Sequence, residues 1–427
     1  MTGPSGPEKD NTPTRGIVGW CFYDWANSAF PTVITTFVFA AYFTKAIAAD
    51  EITGTAQWGY AISLSGLAVA VLAPVLGAVA DHGGRRKPWI FAFTVLCAVA
   101  TALLWQAKPD VSFVFLALVL AAVGNFGFEM AMVFYNAMLP DLTPKDRIGR
   151  VSGWGWGLGY GGGLACLGLA LVALVEAETP VFGLDPDQAE HLRATGPMVA
   201  LWMMVFAVPL FLWTPDRPQG GLSAADACKK GWASLLDTCK RIRDYKEIAR
   251  YLIARMIYTD GLNTLFAFGG IYAAGSFGMD FSELILFGIA INVTAGLGAA
   301  GFAWIDDAIG PKRTIQIAVT GLTVLGAALV LVEGKTLFWA FALPLGIFVG
   351  PAQAASRSLM AHLAPADIRT EMFGLYALSG KATAFIGPAL LAWVTVAFGS
   401  QRAGMATILV FFVVGLVLLS GVPDRRR

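Results

Sequence analysis

The 427-residue sequence predicts an all-α membrane protein of twelve transmembrane helices arranged as two parallel six-helix bundles, and three observations carry that expectation. Of its residues 56% are hydrophobic and only 14% charged, far below the roughly 25% charged fraction of soluble domains. Apolar windows of about 20 residues, the length that crosses about 30 Å of hydrocarbon, can be placed twelve times along the chain. Several polar motifs occur twice, once in each half.

The windows lie near 17–46, 57–80, 88–107, 111–139, 151–175, 197–213, 248–274, 281–305, 313–332, 336–360, 370–398 and 402–422. Pro31, Pro74, Pro209, Pro344, Pro351 and Pro388 fall inside them and predict kinks rather than breaks. Twelve spans return both termini to one side. The termini and the even-to-odd loops hold 22 of the 30 basic residues, against five opposite: Lys45, Lys108, Arg193, Lys335 and Arg402. Both termini are therefore expected in the cytoplasm, with a bacterial plasma (inner) membrane as the setting and a monomer as the working unit.

The expected order is a disordered tail over 1–15, a first bundle over 16–213, a connection over 214–247, a second bundle over 248–422 and a basic tail over 423–427. The tail shows no secretory leader pattern. In the connection, KKGWASLLDTCKRIRDY sets Trp232, Leu235, Cys239 and Ile242 on one helical face and basic residues on the other. Such a helix either lies on the membrane surface or packs on the inner ends of the spans. The five cysteines show neither paired spacing nor CxxC, so no disulfide framework, zinc site or other metal is expected, and no cofactor. No basic run is interleaved with aromatics, which sets nucleic acid aside. No nucleophile–base pair stands out to suggest an enzyme.

Tyr23-Asp24-Trp25-Ala26-Asn27-Ser28-Ala29-Phe30 places a carboxylate and an amide in a segment whose other charge, from Ile17 to Ile47, is Lys45. A charge at the bilayer centre costs roughly 3 kcal/mol or more, so an acid there implies a pathway. Asp260-Gly261-Leu262-Asn263-Thr264-Leu265-Phe266 repeats the acid, the amide three residues on, a hydroxyl and the Phe. Asp81-His82-Gly83-Gly84-Arg85-Arg86-Lys87 after span two is answered by Asp307-Ala308-Ile309-Gly310-Pro311-Lys312-Arg313 after span eight. Leu142-Thr143-Pro144-Lys145-Asp146 with Gly153 and Gly159 recurs as Leu363-Ala364-Pro365-Ala366-Asp367 with Gly374 and Gly380. Each half is thus six spans in the same direction, the parallel repeat of transporters whose bundles rock about a central site.

Gly77-x-x-x-Asp81-x-x-Gly84-Arg85-Arg86-Lys87 resembles the signature loop between spans two and three of the major facilitator superfamily. YDWANSAF, its copy in span seven, and SRSLM with FGLYALSGKATAFIGP across spans ten and eleven resemble the vacuole-effluxer-like branch, which includes fungal vacuolar amino-acid effluxers and many bacterial relatives. The resemblance implies the major facilitator fold, with spans one, four, seven and ten lining a central cavity. The second loop departs from the pattern at Ala303 and Pro311. Asp81 is expected to accept hydrogen bonds from a neighbouring helix N-terminus and from Arg85, with the glycines allowing a tight turn. The gate residues are accordingly Asp81, Gly84, Arg85, Asp307, Gly310 and Arg313.

In span four Asn125, Glu129, Met132 and Asn136 share a helical face. Shifted by the spacing from Asn136 to Arg357, that face reads Gly346, Gly350, Gln353 and Arg357 in span ten. With Lys381 in span eleven, the candidate pathway residues are Asp24, Asn27, Asn125, Glu129, Asp260, Asn263, Gln353, Arg357 and Lys381. Three acids and two or three bases suit a zwitterionic solute, and equally serve internal salt bridges that latch one state. Lys381 has Glu129, Asp24 and Asp260 as available partners. Arg357 and Arg255 lie toward the cytoplasmic ends, where latching or snorkelling competes with solute contact. Glu129 and Asp24 are the proton candidates; sodium on Asp24, Asn27 and Ser28 and a purely facilitated route stay open. GWGWGLGYGGG in span five lacks the strand and Lys-Ser/Thr of a phosphate loop and reads as close helix packing, with Trp154, Trp156 and Tyr160 facing either the cavity or a neighbouring helix, packing being the favoured placement. The function expected is secondary active transport of a small polar, amino-acid-like solute by alternating access, coupled to protons. The alternatives are sodium-coupled or facilitative transport of a sugar, peptide, lipid-like or drug solute, or a transport-inactive receptor or scaffold.

Overall fold

Twelve helical spans make up the protein in the computed structural model, which describes residues 12–175, 183–218, 220, 224–240 and 244–423. The tail segments 1–11 and 424–427, and Ile242 of the connection, lie outside these residues, as does the side chain of Cys239. Span one is Thr14–Ile47, two Glu51–Gly83, three Lys87–Gln106, four Val111–Leu142, five Lys145–Val175 and six Thr195–Trp213. Span seven is Lys246–Phe277, eight Phe281–Ile309, nine Pro311–Leu331, ten Lys335–Leu363 and twelve Gln401–Ser420. Span eleven, expected to be continuous, is two helices, Arg369–Ser379 and Ile386–Phe398. Gly380 ends the first, and Pro388, which lacks an N–H, is tolerated in the first turn of the second.

Pro31 acts more locally than the kink foreseen for it. Span one is α-helical to Asn27 and then wide, with π-helical turns at Phe30–Phe37 and Phe43–Ile47. Such turns leave carbonyls and side chains displaced from the regular ladder, here across Thr32, Thr35 and Thr36. Pro74, Pro209, Pro344 and Pro351 sit inside spans that remain continuous.

The same pairings build each half. Span one packs on five and six, two on four, and three on four and six; span seven packs on eleven and twelve, eight on ten, and nine on ten and twelve. The halves meet along two seams, span five against eight and span two against eleven. Small residues make the seams possible. A Cβ at Gly153 would lie 2.6 Å from the Ala299 carbonyl of span eight, and one at Gly77 2.5 Å from the Thr370 carbonyl of span eleven. The glycine run of span five therefore packs closely on two sides, because a Cβ at Gly162 would lie 2.3 Å from the Trp25 carbonyl of span one.

The helix Ala224–Lys240 joins the halves. It lies on the inner ends of the spans: Gly231 abuts Ala78 and Val79, and the Ser234 hydroxyl donates to Glu371 of span eleven at 3.0 Å. Trp232 and Leu236 remain exposed. Residues near both ends of the described chain pack on this face, Gly16 accepting from Thr214 and Val422 from Lys312, and it is called here the termini face.

Candidate functional site

Between the halves, away from the termini face, lies a cavity of about 1000 Å3. Aromatic and aliphatic side chains form most of its wall. Its polar groups are neutral: Ser28, Thr32, Thr35 and Thr36 of span one, Thr55, Tyr160, Asn263 and Asn292. Among the described residues no Asp, Glu, Lys, Arg or His lines it. Of the pathway residues read from sequence, Asn263 alone does. Span four contributes nothing to the wall, whereas span five supplies Trp156 and Tyr160, for which the sequence favours packing. Trp154 does pack, against Trp304.

The polar face of span four is spent on other helices. Asn125 donates to Ser65 of span two at 3.0 Å. Glu129 accepts from Lys381 of span eleven at 2.7 Å, both part-exposed. Asn136 accepts from Arg357 at 3.2 Å. Gln353, opposite in span ten, accepts from the Tyr160 hydroxyl at 2.6 Å. Three of these four bonds cross between the halves.

Beneath the cavity floor, formed by Ser28, Trp156 and Gly159, lies a buried ion pair. Arg357 Nη1 is 3.0 Å from Asp24 Oδ2, with the two side chains 1% and 6% exposed. The guanidinium also donates through Nε to Ser152 Oγ at 2.9 Å and through Nη2 to the Ser152 carbonyl at 2.6 Å. Tyr135 donates to Asp24 Oδ2 at 2.9 Å, and its ring stacks on Trp20, whose face lies 4.8 Å from the guanidinium. Every nitrogen of the Arg357 guanidinium therefore has an acceptor, which is what a buried pair needs to offset its desolvation. A Cβ at Gly155 would stand 2.6 Å from Asp24 Oδ2, so the pair occupies space that only glycine leaves. Arg357 thus ties the second half to the first and does not line the cavity. Asn27, one turn along, is 2% exposed, and neither end of its amide has a hydrogen-bond partner.

Asp260 has no such latch. It is 1% exposed, forms no ion pair among the described residues, and neither carboxylate oxygen makes a hydrogen bond. Arg255, on the same span, is engaged elsewhere: its guanidinium lies 3.5 Å from the Tyr376 ring centre and donates to the Tyr376 carbonyl and to Ser379 Oγ, each at 2.7 Å.

At the termini face two clamps answer each other. Asp81, at the end of span two, accepts from the Glu371 N–H at 2.9 Å and the Thr370 hydroxyl at 2.6 Å, at the start of span eleven. Asp307, at the end of span eight, accepts from the Arg150 N–H at 3.0 Å, in the first turn of span five, and pairs with its side chain at 3.2 Å. Each carboxylate meets the positive end of a helix of the other half. Gly84 (φ 86°) and Gly310 (φ 91°) end spans two and eight in the left-handed region, turning the chain as expected.

The arginine foreseen at this clamp is the wrong one by a single residue. Arg85 is exposed, while Arg86 is 1% exposed, 3.6 Å from Asp81, and bonded to Asp141 Oδ2 (2.6 Å), the Ala137 carbonyl (2.8 Å) and Thr370 (2.9 Å). The turn at Gly84 and the bond from the Arg86 N–H to Asp216 (3.0 Å) set which side chain points inward. Burial, then neighbouring Arg217, press the Arg86 pKa below its ordinary value, while Asp141 and Asp81 oppose them; a guanidinium stays charged throughout. Arg313 is likewise exposed, and Arg150 takes the place by Asp307. Sequence reasoning missed Asp141, which binds Arg86, Arg217 and Arg369 together. Its signal was the acid two residues before Thr143 in the repeated loop after span four.

The vacuole effluxer Atg22-like family model matches residues 43–427. The chain belongs to that family. A relative described as an uncharacterized MFS-type transporter, YxiO of Bacillus subtilis, is 30% identical over 417 residues, covering 96% of this chain and 95% of its own. Autophagy-related protein 22 of Coccidioides immitis is 24% identical, over 86% of this chain and 72% of its own. Among solved structures, the major facilitator transporter FucP in an outward conformation superposes with a TM-score of 0.73 at 14% identity, covering 96% of this chain and 99% of its own. The proton:xylose symporter XylE gives 0.72 at 13% identity, with 97% of each chain covered. The effluxer-like chain is therefore a multi-pass membrane transporter of the major facilitator superfamily, not an enzyme.

Proposed function

We propose that this effluxer-like protein is a secondary active transporter of a small polar, amino-acid-like solute, working by alternating access between two rocking bodies, 16–213 and 248–422, with protons as the coupling ion. The arrangement that carries the reading is the cavity between the repeated halves, with the cross-half bonds gathered at mid-depth and at the termini face. Asp24–Arg357, Glu129–Lys381, Tyr160–Gln353 and the two Asp clamps all lie on that side. Releasing them opens the second route, and a buried interface is bistable rather than graded.

The wall favours a solute with an apolar body and neutral hydrogen-bonding groups, held by the threonines of span one and by Asn263. A zwitterion finds charge only at Glu129–Lys381, which is part-exposed. There its ammonium and carboxylate exchange for the two side chains, breaking a cross-half tie as they bind. The basic loops support a cytoplasmic termini face and a bacterial plasma membrane as the setting, and a cavity lined within one chain supports a monomer.

The test is counterflow in proteoliposomes over a panel of neutral amino acids, sugars and short peptides, paired with thermal-shift screens at two pH values, with and without sodium. Stimulated exchange of one solute class, lost in Glu129→Gln, supports the reading. Absence of exchange across the panel favours a receptor or scaffold, and stabilisation requiring sodium favours that ion.

A further inference from the structure

We propose that Asp260 is the proton-carrying site of this transporter, and that Lys381 is the cation it accepts in exchange for its proton; this rests on the transport reading above. Sequence alone pointed to Asp24 and Glu129. In the structure both are ion-paired across the halves, to Arg357 at 3.0 Å and Lys381 at 2.7 Å. Both carboxylates are thus already committed to a cation of the other half.

Asp260 is the opposite case. Its carboxylate is buried at mid-span, and an isolated charge there costs far more than a neutral acid. It sits one turn from Asn263, which is exposed in the cavity, so a proton has a short way to water. The Thr383 hydroxyl stands beside it, also buried and without an aligned hydrogen bond. Thr383 belongs to the break in span eleven, and so does Lys381, two residues earlier.

Among the cations on the packed elements Lys381 is the one held by a single, part-exposed pair. On span seven itself, Arg255 is committed to Tyr376 and Ser379, and Tyr251 and Tyr258 are bonded to Ser356. Span ten offers Arg357, which Asp24 holds. Span twelve presents Phe411 and Phe412 to Gly261. Span eight carries its charges near its ends, Glu283 paired with Lys335, Asp307 with Arg150, and Asp306 packed against Gly149. One carboxylate and one hydroxyl also fall short of the six or more oxygens that a hard cation such as calcium takes, whereas a proton needs a single base.

The step balances simply. A proton leaves the carboxylic acid for water in the cavity, the carboxylate forms, and the Lys381 ammonium moves to it from Glu129. A tie between the halves becomes a tie within the second half, and one of the mid-depth links between the halves is released. Reprotonation reverses it.

The experiment is a pH-dependent infrared difference spectrum of the full-length protein in lipid nanodiscs, which needs no solute. The wild type should show a protonated-carboxyl band that fades as pH rises, and Asp260→Asn should remove it. Asp306 is a second buried acid with no ion pair among the described residues, packed against Gly149 and beside the Ser358 and Thr314 hydroxyls, so Asp306→Asn run in parallel separates the two contributions. In Lys381→Met the Asp260 band should persist at alkaline pH where the wild type has lost it. An unchanged band in Asp260→Asn overturns the proton site, and loss of the band at the same pH in Lys381→Met overturns the exchange. Thermal unfolding of each variant confirms that the fold is kept. Counterflow that is absent while the band is present would sink the transport reading and leave the proton site standing.

Discussion

Asp24 and Asp260 hold equivalent places in the first span of each half, each three residues ahead of an asparagine, yet their surroundings have diverged. Asp24 is locked to Arg357 and Tyr135 beneath the cavity; Asp260 is buried with no ion pair among the described residues and only the poorly aligned Thr383 hydroxyl beside it. The cause is the span opposite each. Span ten supplies an arginine to Asp24, while span four, its counterpart, carries Asn136 at the matching position and leaves Asp260 without one. A duplicated device has become a latch in one half and, on our proposal, a titrating group in the other.

The largest effect expected from this contrast is on stability. Arg357→Met leaves Asp24 buried and uncompensated and should cost about 3–5 kcal/mol, the usual penalty for removing one partner of a buried pair. Asp260→Asn, which strips a charge from a site without a partner, should be neutral or stabilising. Thermal unfolding in detergent reads both; equal losses would erase the distinction. Adding Asp24→Asn to Arg357→Met should return much of the loss, because the two residues belong to one network.

Next comes space. Gly155→Ala brings a methyl to within 2.6 Å of Asp24 Oδ2 and should cost about 1–3 kcal/mol, as overpacking commonly does. The same change at Gly269, which has nothing within 4 Å, should cost nothing measurable. The clamps give the smallest contrast. Asp81→Asn keeps a single acceptor oxygen for the Glu371 N–H and the Thr370 hydroxyl, which now use one each, and leaves Asp141 as the carboxylate facing Arg86, so it should cost about 1–3 kcal/mol. Asp307→Asn faces the part-exposed Arg150 and should cost less, about 0–1 kcal/mol. Cysteine-accessibility labelling at the termini face should follow the same order.

Much of this architecture was legible beforehand, and the limits have physical causes. Hydropathy marks spans because lipid demands it over a whole helix, and the repeat marks halves because equivalent helices keep equivalent polar positions. The clamp after span two could be read from Asp81 and Gly84, but the choice between Arg85 and Arg86 depends on the rotation of a three-residue turn. Asp24 and Arg357 are 333 residues apart in sequence, and no local pattern reports that they meet. The polar face of span four was correctly seen as a face, yet which neighbour covers it is a property of packing. Span eleven reads as one apolar window because hydropathy does not register a turn of backbone lost at Gly380.

The most direct test of the divided roles is solute-driven proton movement across proteoliposomes, measured with an entrapped pH dye alongside counterflow. The account predicts that Asp260→Asn keeps counterflow and abolishes the proton signal. Proton movement that survives in Asp260→Asn, or that vanishes instead in a folded, exchanging Asp24→Asn, would contradict it.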